Sequence, residues 1–210
     1  VAVGASQKGL MVPAAMGFVF FSEKAAARRA EMTRVSRYWD WVPRANPEMF
    51  FQYFGGTAPT HHLYGLRVAL DMLNEEGMEA VWARHERLAG AVWAACEAWA
   101  EGGPLQLNVA ERAHRSCAVT AVHIGQPHGV NLRSWCEENA GITLGIGLGM
   151  STDDDPNGEG FFRIGHMGHV NTQMIMAALG SMEAAFEAHG IPRGKGALDA
   201  AVMVLAGSGA

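Results

Sequence analysis

The protein is a chain of 210 residues with 21 acidic and 16 basic side chains, a formal net charge of -5. That balance argues against general affinity for nucleic acid or anionic membrane, both of which favour a basic surface. Hydrophobic residues at 49% and charged residues at 18% place it among ordinary globular chains, long enough for one or two domains with a sizeable core. No apolar run reaches the length of a membrane helix. No basic segment leads into an apolar stretch with a small-residue cleavage site. Cys96, Cys117 and Cys136 form no close pair, so neither a disulfide framework nor a zinc knuckle is expected, and reduced thiols of a cytoplasmic protein are the plain reading.

Val1 to Ser6 reads as a short apolar strand running into a turn, and a chain opening on Val1 inside a strand reads as part of a longer protein. Met16 to Phe21 suits a buried strand, and Ser22 then offers an N-cap to a helix ending near Arg34. Residues 36–56 are rich in Trp, Tyr, Phe, Pro and Gly without periodicity, as in a functional loop or interface segment. From Thr60 the pattern is helical, with Leu63, Leu66, Leu70 and Leu73 on one face until Gly77. Met78 to Ala100 continues as a long helix carrying Val81, His85, Leu88, Val92 and Ala95 on one side. Gly102-Gly103-Pro104 stops it and marks a domain boundary, giving regions 1–101 and 102–210.

Beyond that boundary the elements shorten and alternate. Strands are expected over Cys117 to Ile124, Ile142 to Ile146 and Phe161 to Ile164. Helices are expected over Leu132 to Asn139, Thr172 to His189 and Leu198 to Leu205, and Ser151 to Gly160 reads as a polar loop. This order suits a small α/β domain beside a larger one.

Two residues draw a chemical reading. Lys8, between Ser6-Gln7 and Gly9-Leu10 at a strand end, can emerge into a cleft where desolvation and nearby charge make its amine nucleophilic toward an aldehyde. By local spacing alone a surface lysine in a turn is the plainer reading, since most lysines face water. Arg163 presents a planar fork that can hold a carboxylate by two parallel bonds, or form a salt bridge at a strand end. His166 and His169, like the adjacent His61 and His62, lack Cys, Asp or Glu partners at ligand spacing, so no metal site is expected. Gly145-Ile146-Gly147-Leu148-Gly149 lacks the spacing and following helix of a dinucleotide loop and reads as a flexible turn. Asp153-Asp154-Asp155 reads as solvated loop charge.

Four ordered segments resemble the class V aminotransferases, above all the serine–glyoxylate and alanine–glyoxylate enzymes. Ser6-Gln7-Lys8-Gly9-Leu10-Met11, followed by Pro13 and Gly17-Phe18-Val19, resembles their Schiff-base lysine segment. Thr57-Ala58-Pro59-Thr60 into Leu63-Tyr64-Gly65-Leu66 resembles their cofactor-phosphate loop and following helix. Glu79 to His85 resembles the interdomain helix, and Phe162-Arg163-Ile164-Gly165-His166-Met167-Gly168 the strand that binds the substrate carboxylate. The resemblance implies an α/β, PLP-dependent transferase of fold type I: the end of the large domain and connecting helix over 1–101, and the small C-terminal domain over 102–210. It implies pyridoxal 5'-phosphate carried on Lys8 and substrate carboxylate on Arg163. Gln7 and Thr57 are implied as phosphate contacts, with Thr57 reaching into a neighbouring subunit of a homodimer with shared sites. Many alanine–glyoxylate enzymes carry a phosphate-binding tyrosine where this chain has Phe54, and Tyr53, one place away, is the candidate replacement. The implied reaction moves an amino group from serine or alanine to glyoxylate or pyruvate. Arg163 to Gly168 and Gly194-Lys195-Gly196 also resemble pyridoxamine–pyruvate aminotransferase, in which pyridoxal is a substrate. A noncatalytic module retaining the fold is the rival from another class, distinguished by its having no reaction with any amino acid.

Overall fold

The computed structural model describes residues 1–207, which form two compact units, Val1–Glu76 and a second from Gly77 onward. In the first, β1 (Ala2–Ala5) pairs antiparallel with β2 (Gly17–Phe20), in a register matching Ala2 to Phe20 and Ala5 to Gly17. Ser22 caps α1 (Glu23–Ala30) as expected, its hydroxyl accepting from Ala25 N. The helix stops short of Arg34: Met32 N turns back to Arg29 O, and the Arg29 side chain is drawn into a paired contact with Asp40. The aromatic segment holds only α2 (Val42–Ala45) and a 3₁₀ turn, Phe50–Tyr53. Phe21 and Trp41 stack at 5.1 Å, whereas Tyr38, Trp39, Phe50, Phe51 and Tyr53 are each more than half exposed.

α3 (Thr60–Glu76) lays Leu63, Leu66 and Ala69 on Val12 and Met16, which together make the small core of this unit. Its buried stripe centres on Leu66, Ala69 and Leu73, so Leu70 falls at the margin and is exposed.

The second unit is built on α4 (Met78–Ala100), whose buried face carries Val81, Leu88, Val92, Ala95, Cys96 and Trp99. By packing, this long helix belongs with the C-terminal elements, above all α7 (Ala197–Leu205). α4 ends where Gly103 passes so close to Pro192 that a Cβ there would lie 1.9 Å from the Pro192 carbonyl oxygen. Gly194 N then donates to the Trp99 carbonyl at 2.9 Å, a shorter bond than the 3.5 Å one from Gly102 N at this helix end.

A four-stranded antiparallel sheet comes next, in the order β3 (Gln106–Leu107), β4 (Val119–His123), β6 (Phe161–Gly165), β5 (Gly145–Ile146). With α4, α5 (His128–Ala140) and α6 (Thr172–Ala188) it encloses one core. Thr120, Val122, Phe162 and Ile164 point into that core and are buried. The opposite face is more open: Val119, Ala121, His123 and Arg163 are half-buried and Gly165 is exposed, although Phe161 is covered. Arg163 therefore stands on the open side of the central pair of strands. None of the described helices is long and apolar enough to cross a membrane.

Candidate functional site

In the first unit Lys8 lies on the connection between β1 and β2. The base of this connection is closed by Ser6 N to Met16 O and Val12 N to Ser6 O, both 3.1 Å. The Ser6 hydroxyl, fully buried, donates to the Pro13 carbonyl at 2.8 Å. α3 holds the other side: His62 Nε2 donates to Ala14 O at 3.2 Å, and Gly65 admits Val12, whose Cγ1 would be 3.4 Å from a Cβ there. His62, of the adjacent pair His61-His62, thus supplies a clasp for the lysine loop. Lys8 and Gln7 are exposed at its tip, the ε-amino group has no partner among the described residues, and nothing lies within 4 Å of where a side chain at Gly9 would begin.

Thr57 and Tyr53 sit on the approach to α3. Thr57 is exposed and caps nothing, because the helix begins at Thr60 with Leu63 N bonded to Pro59 O. Tyr53 ends the 3₁₀ turn with its ring edge-on to Phe50 at 6.2 Å.

In the second unit Arg163 pairs with Ala121 on one side and Gly145 on the other. Its Nε donates to the Ile146 carbonyl at 2.7 Å, fixing the plane of the guanidinium, and no partner among the described residues of this unit takes its two terminal nitrogens. Gly145 makes room for the arginine, since a Cβ there would come within 3.2 Å of Arg163 Cβ and 3.4 Å of Nε. The following glycines are packing requirements as well. A Cβ at Gly147 would lie 2.5 Å from Phe161 Cβ, and Gly158, at φ +67°, crosses the Met150 carbonyl. Within the glycine run expected as a flexible turn, Gly145 and Gly147 are closely packed, whereas Gly149, at φ +71°, has open space about it.

Asp155 departs from the solvated-loop expectation. It is only 4% exposed and accepts from Glu159 N (2.9 Å), Gly160 N (2.7 Å) and Gln126 Nε2 (2.5 Å). Burial works to raise its pKa, but the bonds from Gly160, Gln126 and Glu159 prevail and hold the carboxyl below its ordinary range. It organises the loop that feeds β6. Asp153 and Asp154 remain exposed.

His166, just past β6, is fully buried with both ring nitrogens committed. Nδ1–H donates to the Cys117 carbonyl at 3.0 Å, so Nε2 accepts from the Thr120 hydroxyl at 2.9 Å; Trp93 Nε1 donates to that same hydroxyl at 3.0 Å. Next along the chain, Gly168 N donates to His85 Nε2 at 3.1 Å, and Arg84 Nη1 donates to the carbonyls of Gly168 (2.8 Å) and Val170 (3.0 Å). The segment leaving the Arg163 strand is thus tied to α4 and β4 by Arg84, His85 and His166.

Burial pushes the His166 pKa below the ordinary histidine value; the Cys117 carbonyl opposes this shift, while nearby His85 adds to it. The folded protein therefore binds fewer protons at this ring than the unfolded chain. Stability is expected to fall as pH drops through about 6.5, where a free histidine titrates, and to go on falling down to the folded-state pKa. Urea midpoints of the wild type and His166→Gln between neutral and mildly acidic pH test this; the variant should show the shallower slope.

Residues 2–175 match the family described as Aminotransferase class-V. Serine–glyoxylate aminotransferase of Arabidopsis thaliana is 33% identical over 196 residues, covering 91% of this chain and 46% of that protein. The crystal structure of pyridoxamine–pyruvate aminotransferase from Mesorhizobium loti superposes with a TM-score of 0.77 at 28% identity, covering 95% of this chain and 50% of that one. Ureidoglycine–glyoxylate aminotransferase from Bacillus subtilis gives 0.76 at 26% identity, covering 96% and 51%. The chain spans about half the length of the curated relatives it matches.

Proposed function

The chain belongs to the class-V aminotransferase family and has its fold type I architecture, and on that footing we propose that the protein transfers an amino group from serine or alanine to a 2-oxo acid such as glyoxylate or pyruvate. The observation that carries this reading is Lys8: an unpartnered amine at the tip of a loop anchored at its base, with open space beside Gly9. Those features fit pyridoxal 5'-phosphate, the cofactor on which the family depends. When bound, it supplies an electron sink for the bonds at the substrate Cα. Lys8 would hold it and, once released, take the proton from the substrate Cα. Gln7 and Thr57, both exposed and polar, would donate to its phosphate, with Tyr53 as a further donor.

Arg163 would bind the substrate carboxylate through its two terminal nitrogens, with Nε already fixed on Ile146 O. A positive fork with no competing carboxylate among the described residues of its own unit suits an α-amino or 2-oxo acid. On this reading residues 1–101 are the end of the cofactor-bearing large domain with its connecting helix, and 102–210 the small C-terminal domain. A cytoplasmic homodimer in which Thr57 serves the neighbouring subunit completes the reading, and two-fold symmetry is the commonest closed assembly.

The test is the absorbance of the purified protein with pyridoxal phosphate after gel filtration, before and after serine, alanine or pyridoxamine. Retained cofactor whose spectrum changes with serine or alanine, and glycine formed from glyoxylate, are the expected results. Reaction with pyridoxamine alone, and no retained phosphate cofactor, would transfer the protein to the pyridoxamine–pyruvate reaction. No reaction with any amine would overturn the catalytic reading.

A further inference from the structure

Resting on the assignment of Lys8 as the cofactor-bearing residue, we infer that Ser6 is its positioning residue, with a hydroxyl that fixes the lysine loop and is not available to the cofactor. Ser6 is a fully buried polar residue in a stretch whose flanking residues, Ala5 and Gln7, are exposed. Every polar atom it has is used. Its N–H donates to Met16 O and its carbonyl accepts from Val12 N, both at 3.1 Å. Its hydroxyl donates to Pro13 O at 2.8 Å and accepts from Met16 N at 3.4 Å.

These bonds close two rings of main chain, residues 6–12 and 6–16, and Lys8 lies in the smaller. Within that ring Met11 N donates to Lys8 O at 2.9 Å, and Met11 is held at φ +59°, a left-handed conformation that a methionine keeps only when its surroundings over-determine it. The lysine amine has no anchor of its own, so the direction in which the side chain leaves the backbone is set by the ring. Serine two places before a cofactor lysine invites reading as a phosphate ligand. Here its hydroxyl is turned inward, with its one proton committed to Pro13.

The experiment adds pyridoxal phosphate alone to cofactor-free wild type, Ser6→Ala, Ser6→Thr and Ser6→Cys, well below their melting midpoints. The rate of covalent lysine–cofactor link formation and the pH midpoint of its absorbance band are followed, and borohydride reduction with peptide mapping locates the link. Positioning requires that Ser6→Ala slow the link roughly ten- to hundredfold and shift its pH midpoint, while Ser6→Thr returns to within about twofold of wild type. If Ser6→Ala links at the wild-type rate and midpoint and only its melting temperature falls, Ser6 merely supports the fold and the inference is wrong. Should Ser6→Ala not accumulate as folded protein, Ser6→Cys decides: it retains the volume with a far weaker donor, and an unchanged rate overturns the inference. A wild-type protein that links elsewhere than Lys8, or not at all, overturns the Lys8 assignment and this inference together.

Discussion

Lys8→Ala is expected to cut amino transfer by about a thousandfold or more while leaving the melting temperature nearly unchanged. The two halves of this result have separate causes. A general base positioned at the reacting carbon contributes roughly 10²–10⁴ in rate, and losing the amine also removes the covalent hold on the cofactor. The stability of the fold is indifferent because the side chain is exposed and bonds to none of the described residues, and substitutions at such sites stay within about 0.5 kcal/mol. Single-turnover kinetics with serine and a thermal melt of the same preparation read both halves. A borohydride-reducible link that survives in the variant, mapped to Lys24 or Lys195, would show that another lysine carries the cofactor.

Arg163→Lys should weaken amino-acid binding about ten- to a thousandfold, about 1.4–4 kcal/mol, without disturbing the cofactor spectrum. In the proposed site the guanidinium has its roles divided: Nε is fixed on the Ile146 carbonyl, and the two terminal nitrogens would take a carboxylate in a common plane. A lysine ammonium has no second plane-fixing donor and is a point charge on a flexible stem, so it cannot hold Ile146 O and two carboxylate oxygens in one geometry. Gly145, the neighbour that makes room for the arginine, would leave the slimmer side chain more freedom still. Saturation of the spectral change with serine gives the constant directly, and an unchanged value would remove Arg163 from the site.

How much is legible in the sequence depends on the range of the interactions. α4 is legible to the residue, and Ser22 as the cap of α1, because helical periodicity and capping act within a few positions. Lys8 and Arg163 stand out because their surroundings form ordered motifs, although the assignment of their roles rests on resemblance. The buried chain from Trp93 through Thr120 to His166 is invisible in the sequence, its members being 27 and 46 residues apart. Asp155 looks like its two neighbours, and what sets it apart is the Gln126 side chain and the backbone N–H groups of Glu159 and Gly160, brought round by a tight loop. β3, two residues long, carries no period at all. Leu70 shows the converse error, an apolar residue of the right type placed a fraction of a turn outside the stripe that Ala69 fills.

The alternation along β4 and β6 divides this small sheet into two classes of position that can evolve under different constraints. A change at Thr120, Val122, Phe162 or Ile164 is judged by a packed interior, where even one methylene is felt. A change at Ala121 or Gly165, beside Arg163 on the open face, is judged by whatever meets that face. A lineage, or a designed library, can therefore resize the surroundings of the arginine through those two small residues while leaving the fold's stability nearly untouched. On the proposed role of Arg163, selectivity among short acids would be open to drift in a way that the architecture is not.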